Sequence, residues 1–197
     1  MHLRFPWGSA LNLEVIEEYL WQNKVDILAV VHHETSPGML NPLDAIGQLT
    51  ASHGVVLLVD CASIAGAESI DMERDNIAFC QASSSKAIAS YPGLSFVVGR
   101  VDEFDKLATA RARTSYPNQH TFFTFARNRS QTPNTPAVPL FHTLDRALEN
   151  ILVETTKGRR SIIRPKAMGL REELRQQSIS YRRPIFCAKS PNLGPVG

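Results

Sequence analysis

The chain is predicted to fold as an α/β domain, a mostly parallel sheet with flanking helices. Two observations carry this: apolar runs of strand length recur between residues 25 and 99, and helix-period segments are interleaved with them. The runs at residues 25–31, 55–59, 77–81 and 94–99 are nearly continuous in apolar residues rather than alternating. Continuous apolarity is the mark of strands covered on both faces, as in a parallel sheet. The length of 197 residues, with 43% hydrophobic and 20% charged residues, suits one medium domain with a sizeable core plus part of another.

The elements follow in order. Leu13, Ile16 and Leu20 recur at i, i+3 and i+7 behind Asn12, predicting an amphipathic helix over residues 12–23 with Asn12 as its cap. Residues 25–31 form the first strand. Asn41, Pro42 and Asp44 then supply a cap, a first-turn proline and a first-turn acid. Leu43, Ile46 and Leu49 give that second helix its inward stripe, and His53 and Gly54 end it. Strands at 55–59 and 77–81 continue the pattern, with right-handed crossovers expected between parallel neighbours. Only about a dozen residues, Tyr91-Pro92-Gly93 among them, separate the third strand from the fourth. That is too little for a full helical crossover, so this last pair is expected to be antiparallel. Beyond Asp102 the sequence predicts a short helical stretch, an irregular aromatic segment over 116–125 and the turn-rich Thr132-Pro133-Asn134-Thr135-Pro136. A long helix over 137–154 carries Leu140, Leu144, Leu148 and Ile151 on one stripe, and residues 178–188 read as a further strand.

Composition excludes several classes. A net charge of +2 implies no particular partner, and no nucleic acid is expected; the basic residues Arg111, Arg113, Arg127 and Arg129 and those between 157 and 183 read as a solvated helical face, with an anion site as the alternative. No apolar run approaches the ~20 residues that cross a bilayer, and the amino terminus lacks a signal-peptide core, so an intracellular protein is expected. Cys61, Cys80 and Cys187 lie far apart without paired spacing and read as buried reduced thiols. His32 and His33 have no Cys or carboxylate partner at ligand spacing, so no metal site is expected. Glycine-rich nucleotide loops and a GxSxG elbow are missing, which argues against a dinucleotide-binding domain and an α/β-hydrolase.

Ligands of open α/β sheets bind beyond the carboxyl ends of the strands. That rule gathers residues 33–38, 60–63 and 83–86 along one rim, with Asp60 closing one apolar run and Lys86 following another. The segments Val31-His32-His33-Glu34-Thr35-Ser36-Pro37-Gly38, Leu57-Leu58-Val59-Asp60-Cys61-Ala62-Ser63, Ser83-Ser84-Ser85-Lys86 and Pro92-Gly93-Leu94-Ser95-Phe96-Val97 stand there in sequence. In that order and spacing they resemble the class V aminotransferases of fold type I. The likeness is nearest to the 2-aminoethylphosphonate:pyruvate transaminases and the alanine/serine:glyoxylate (pyruvate) aminotransferases.

The resemblance implies pyridoxal 5'-phosphate as cofactor and a set of residue roles. Lys86 is expected to form the Schiff base and then move the proton, and Asp60 to pair with the pyridinium nitrogen. Either has a plainer reading, Lys86 as a solvated loop lysine and Asp60 as the cap of a following helix. Thr35 stands where the family has a hydroxyl near the cofactor's phenolic oxygen, or is a turn residue. Ser83 and Ser85 are expected phosphate donors, although the family commonly has Asn or Gln immediately before the lysine. Pro37 replaces the commoner Thr. Ser63 either supports Asp60 or bonds to backbone. Thr135 resembles a threonine that reaches a partner's cofactor phosphate, which implies a homodimer; its plainer role is to cap a helix with Pro136 as first residue, and the two are compatible. Arg100, Arg111 and Arg113 are candidates to line a small anion pocket.

By the same resemblance residues 1–156 are part of the cofactor-binding large domain and 157–197 the start of a small carboxyl-terminal domain. The implied activity is amino transfer from 2-aminoethylphosphonate, alanine or serine to pyruvate or glyoxylate, in the cytoplasm or an organelle matrix such as the peroxisome. The family's glycine-rich phosphate turn, ring-stacking residue and carboxylate-binding arginine have no counterpart in this sequence. The alternative reading is therefore a truncated, catalytically inactive aminotransferase-like fragment.

Overall fold

A computed structural model describes residues 2–110 and 118–177. Its elements are α1 (Leu13–Gln22), β1 (Ile27–Val31), β2 (His33–Glu34), β3 (Met39–Leu40), α2 (Leu43–Ser52), β4 (Val56–Asp60), β5 (Ile77–Ser83), β6 (Ser95–Gly99), α3 (Val101–Lys106), α4 (Gln119–Arg129), α5 (Val138–Glu154) and α6 (Thr156–Gln176). The main sheet has the order β1-β4-β5-β6, and β2 and β3 form a separate two-stranded ribbon. Parallel pairing joins β1 to β4 and β4 to β5, whereas β5 and β6 run antiparallel, as the short connection requires.

Local chemistry explains most boundaries. The Asn12 carboxamide accepts from the amides of Glu14 and Val15, the N-cap geometry expected for α1. Gly54, at φ +64, takes the left-handed conformation that ends α2. At the start of α2, Asn41 has a different role from the expected cap. Pro42 occupies the cap position, and the buried Asn41 donates its side-chain amide to the Val31 carbonyl at 2.7 Å. A buried carboxamide gains more by closing an otherwise open strand carbonyl than by capping a helix start near water.

The core lies on one face of the sheet. Leu43 and Ile46 of α2 pack on Leu57, Val59, Cys61, Ile77 and Cys80, and beside them Ile16 and Leu20 of α1 cover Val55. Cys61 and Cys80 are buried free thiols, while Cys187 lies outside the described residues. On the opposite face the expectation of two-sided cover is corrected. Ala29, Leu58, Phe79 and Val97 line an open apolar groove of about 780 Å³, and Ile27 at its edge is 56% exposed. Continuous apolarity records that both faces are apolar, not that both are covered by the described residues.

Four further expectations change. Residues 61–76, between β4 and β5, form turns rather than a crossover helix. The aromatic segment is helical from Gln119 in α4, where Phe123 stacks on Phe104 with ring centroids 4.6 Å apart. In α5 the buried positions are Ala147 and Ile151, whereas Leu148 is 39% exposed. Finally, α5 starts at Val138 with Ala137 as its cap and Pro139 in its first turn, so Thr135 is not the helix cap. The strand expected at 178–188 lies outside the described residues.

Candidate active site

The parallel ladder of β4 and β5 sets the geometry of the rim. Val59 pairs with Cys80 and Asp60 with Gln81, so both strands end at the same edge of the sheet, and Lys86 follows β5 by three residues. The β1 strand ends at this edge too, with Val31 opposite Asp60. The antiparallel β6 starts there as well, with Ser95 opposite Ser83, so all four segments singled out in the sequence converge through strand register.

Asp60 is half-buried, and one carboxylate oxygen accepts the Ala62 amide at 2.8 Å, an Asx-type turn that aims the side chain without a following helix. Its other oxygen has no partner among the described residues. The Lys86 side chain is exposed and forms no hydrogen bond or ion pair with any described residue, so the amine is not spent on Asp60. The Ser83 and Ser85 hydroxyls lie 3.2 Å apart at the same edge. Thr35 is exposed in the turn joining β2 to β3.

Other expected contacts are reassigned. Ser63 donates to the His33 carbonyl at 3.1 Å, which ties the β2 strand to the turn after Asp60, so its backbone role is the one observed. Arg100 is removed from the rim by the antiparallel register: Gly99 pairs with Phe79 at the start of β5, and Ser95 with Ser83 at its end. Arg100 there bonds Glu103 at 2.8 Å and sits at the far edge of the sheet. Arg111 and Arg113 lie outside the described residues. Thr135 is exposed in the segment between α4 and α5.

Sequence reasoning passed over Ser84, the fully buried member of the serine cluster. Its hydroxyl donates to the Tyr91 carbonyl at 2.7 Å and accepts from the Leu94 amide at 3.4 Å, closing the loop that carries Lys86. The signal was available: of three serines after a strand, the period-two pattern buries the middle one. His32 is also buried, with its Nδ1 lacking a hydrogen-bond partner among the described residues. Burial, and then the neighbouring His33, lower its pKa to about 4 against the opposing pull of Asp75.

An amine, a carboxylate with one open oxygen and two hydroxyls at one edge form a donor set that fits an aromatic aldehyde carrying a ring nitrogen and a phosphate. The comparisons agree with that chemistry. The family model for class V aminotransferases matches residues 7–177.

The chain belongs to the class V aminotransferase family.

Among its relatives, an uncharacterized aminotransferase from Methanocaldococcus jannaschii is 27% identical over 161 residues, which are 81% of this chain and 42% of that protein. A 2-aminoethylphosphonate-pyruvate transaminase from Phocaeicola vulgatus is 36% identical over 102 residues, 51% of this chain and 28% of the other. The structure superposes on an alanine-glyoxylate aminotransferase from Nostoc sp. with a TM-score of 0.77 and 27% identity, covering 87% of this chain and 46% of that one. The chain therefore spans less than half the length of these class V relatives. Its α/β architecture with a mostly parallel sheet is that of the fold type I aminotransferases.

Proposed function

We propose that this chain carries the Asp60–Lys86 part of a pyridoxal phosphate site, and that the whole protein is a transaminase. The amino donor would be 2-aminoethylphosphonate, alanine or serine, and the acceptor pyruvate or glyoxylate. The observation that carries the reading is the pairing of β4 with β5, which brings a carboxylate with a free oxygen and an unpaired lysine to one edge. Family membership and the names of the relatives support the amino-transfer chemistry.

Pyridoxal phosphate, when bound, supplies an aldehyde that takes up the amino group and a protonated ring that draws off the electrons released at the substrate α-carbon. Lys86 would hold the cofactor and, once displaced by the donor's amine, accept and return the proton of the α-carbon. Asp60 would keep the ring nitrogen protonated through its open oxygen. Ser83 and Ser85 would donate to the phosphate, and Thr35 to the phenolic oxygen. Thr135, exposed and away from helix-capping duty, would act across a homodimer on the partner's phosphate.

A second reading, an inactive aminotransferase-like remnant, is favoured by the apolar groove on the sheet that the described residues leave open. One experiment separates the two. The protein is mixed with pyridoxal phosphate, reduced with borohydride and mapped by peptide mass spectrometry. Label concentrated at Lys86, followed by amino transfer in a screen of donors against pyruvate and glyoxylate, supports the enzyme. Label at Lys86 without turnover supports the remnant, and absence of label at Lys86 removes the site assignment.

A further inference from the structure

The loop that carries Lys86 is held from outside the sheet. The Ser90 amide donates to the Ser84 carbonyl at 2.9 Å and the Ala89 amide to the Lys86 carbonyl at 2.8 Å, which fold residues 84–90 into a tight loop. Ala89 sits at φ +62, a conformation that costs a residue with a Cβ on the order of 1 kcal/mol or more. A loop with that cost persists when its surroundings determine it.

Helices α5 and α6 do so at three positions of the loop. Ser90 shares a hydroxyl contact of 3.3 Å with Thr143, and Ile88 is buried against Ala147 and Ile151. The third contact comes from α6: Arg159 donates to the Ala87 carbonyl at 2.9 Å, 72 residues away in sequence. The Arg159 side chain is only 14% exposed, and Glu154 orients it by accepting from Nε. A charge-assisted bond to a carbonyl, made by a largely desolvated guanidinium, is stronger than a neutral one. The accepting carbonyl belongs to the residue next to Lys86.

We propose that Arg159 is a positioning residue for Lys86, acting through the Ala87 carbonyl to fix the direction in which the lysine leaves the loop. The proposal rests on Lys86 being the cofactor lysine, and it adds to that reading a residue on a helix remote from the sheet edge. Arg159→Met removes the donor, and Arg159→Lys keeps the charge on a shorter side chain with a single donor group.

Two measurements on the full chain test it. In cofactor-free protein, hydrogen exchange at the Ala89 and Ser90 amides is expected to accelerate about tenfold in Arg159→Met, the loss of one hydrogen bond to a charged group, and less in Arg159→Lys. With pyridoxal phosphate and borohydride, the preference for labelling Lys86 over the exposed Lys106 is expected to fall about tenfold in Arg159→Met and only about threefold in Arg159→Lys. Unchanged exchange overturns the proposal. So does faster exchange with an undiminished preference for Lys86, because that leaves Arg159 a purely structural contact. If Arg159→Met does not fold by circular dichroism, Arg159→Lys decides alone, with a roughly threefold loss expected in both measurements and no loss overturning the proposal. A wild-type protein with no preference for Lys86 defeats the cofactor-lysine reading and with it the positioning role, and the exchange data then report separately whether Arg159 holds the loop.

Discussion

Asp60 stands opposite Gln81 in the parallel β4–β5 ladder, so its carboxylate and the lysine five residues beyond Gln81 leave the sheet at the same edge. A one-residue slip of this register would turn the Asp60 side chain to the other face. The buried set Leu57, Val59 and Cys80 prevents such a slip, because it would bring the half-buried face of the strands into the core. Packing thus maintains the juxtaposition of the two chemical groups, and the predictions below follow from it.

Lys86→Ala should abolish borohydride-fixed incorporation of pyridoxal phosphate at this loop and leave the thermal unfolding midpoint within error of wild type. The side chain is exposed and bonded to no described residue, so its removal costs little stability. Peptide mapping and calorimetry check the two halves.

Asp60→Asn should weaken cofactor binding on the order of 100-fold, as when one partner of a sequestered charge pair is removed. The amide retains an oxygen for the Ala62 backbone, so the local turn survives. Titration with pyridoxal phosphate followed by absorbance reads the change, and an affinity equal to wild type would count against Asp60 as the ring-nitrogen partner.

Gly47→Ala should destabilise the protein by about 3 kcal/mol. Alanine is favoured over glycine in a helix by about 1 kcal/mol, but that gain is outweighed here. A Cβ at position 47 would lie 1.9 Å from the Asp75 carbonyl oxygen, a backbone atom that cannot swing aside. Urea unfolding of the two proteins gives the difference directly.

Stability should fall as the solution is acidified from pH 6.5 towards 4, in part through His32. Its folded pKa is depressed to about 4 from 6.5, so in that window the unfolded chain binds a proton that the fold refuses. The loss amounts to about 1.4 kcal/mol per pH unit and reaches its limit below the folded pKa. The urea midpoint of His32→Gln should therefore vary less with pH across this window than that of wild type.

Thr135→Ala should lower cofactor affinity about tenfold, the cost of one hydrogen bond to a charged group, while the circular dichroism spectrum is unchanged. Sedimentation velocity is expected to show a dimer in both proteins. A monomeric wild type with full cofactor affinity would remove the proposed cross-subunit contact.

The linear pattern was enough for the strands of the main sheet and the first two helices, because each is set locally, but not for the β2–β3 ribbon that carries Thr35. Continuous apolar runs marked β1, β4, β5 and β6; the Asn12 cap and the Gly54 terminator bounded α1 and α2; and too short a connection made the last pair antiparallel. Asp60, Lys86 and the serines were identifiable as types at strand ends, and therefore as chemistry. The tertiary structure decided what depends on neighbours remote in sequence. It tied Asn41 to Val31, drew Ser63 to the His33 carbonyl, carried Arg100 to the opposite edge through an antiparallel register, and placed an apolar groove on the face of the sheet that the described residues do not fully cover. It also buried Ser84 and brought Arg159 across 72 residues to the carbonyl beside Lys86. Side-chain spacing can announce an amine and a carboxylate, but hydrogen bonds between distant segments form only once the chain has closed on itself. What orients the lysine therefore lies beyond any linear pattern.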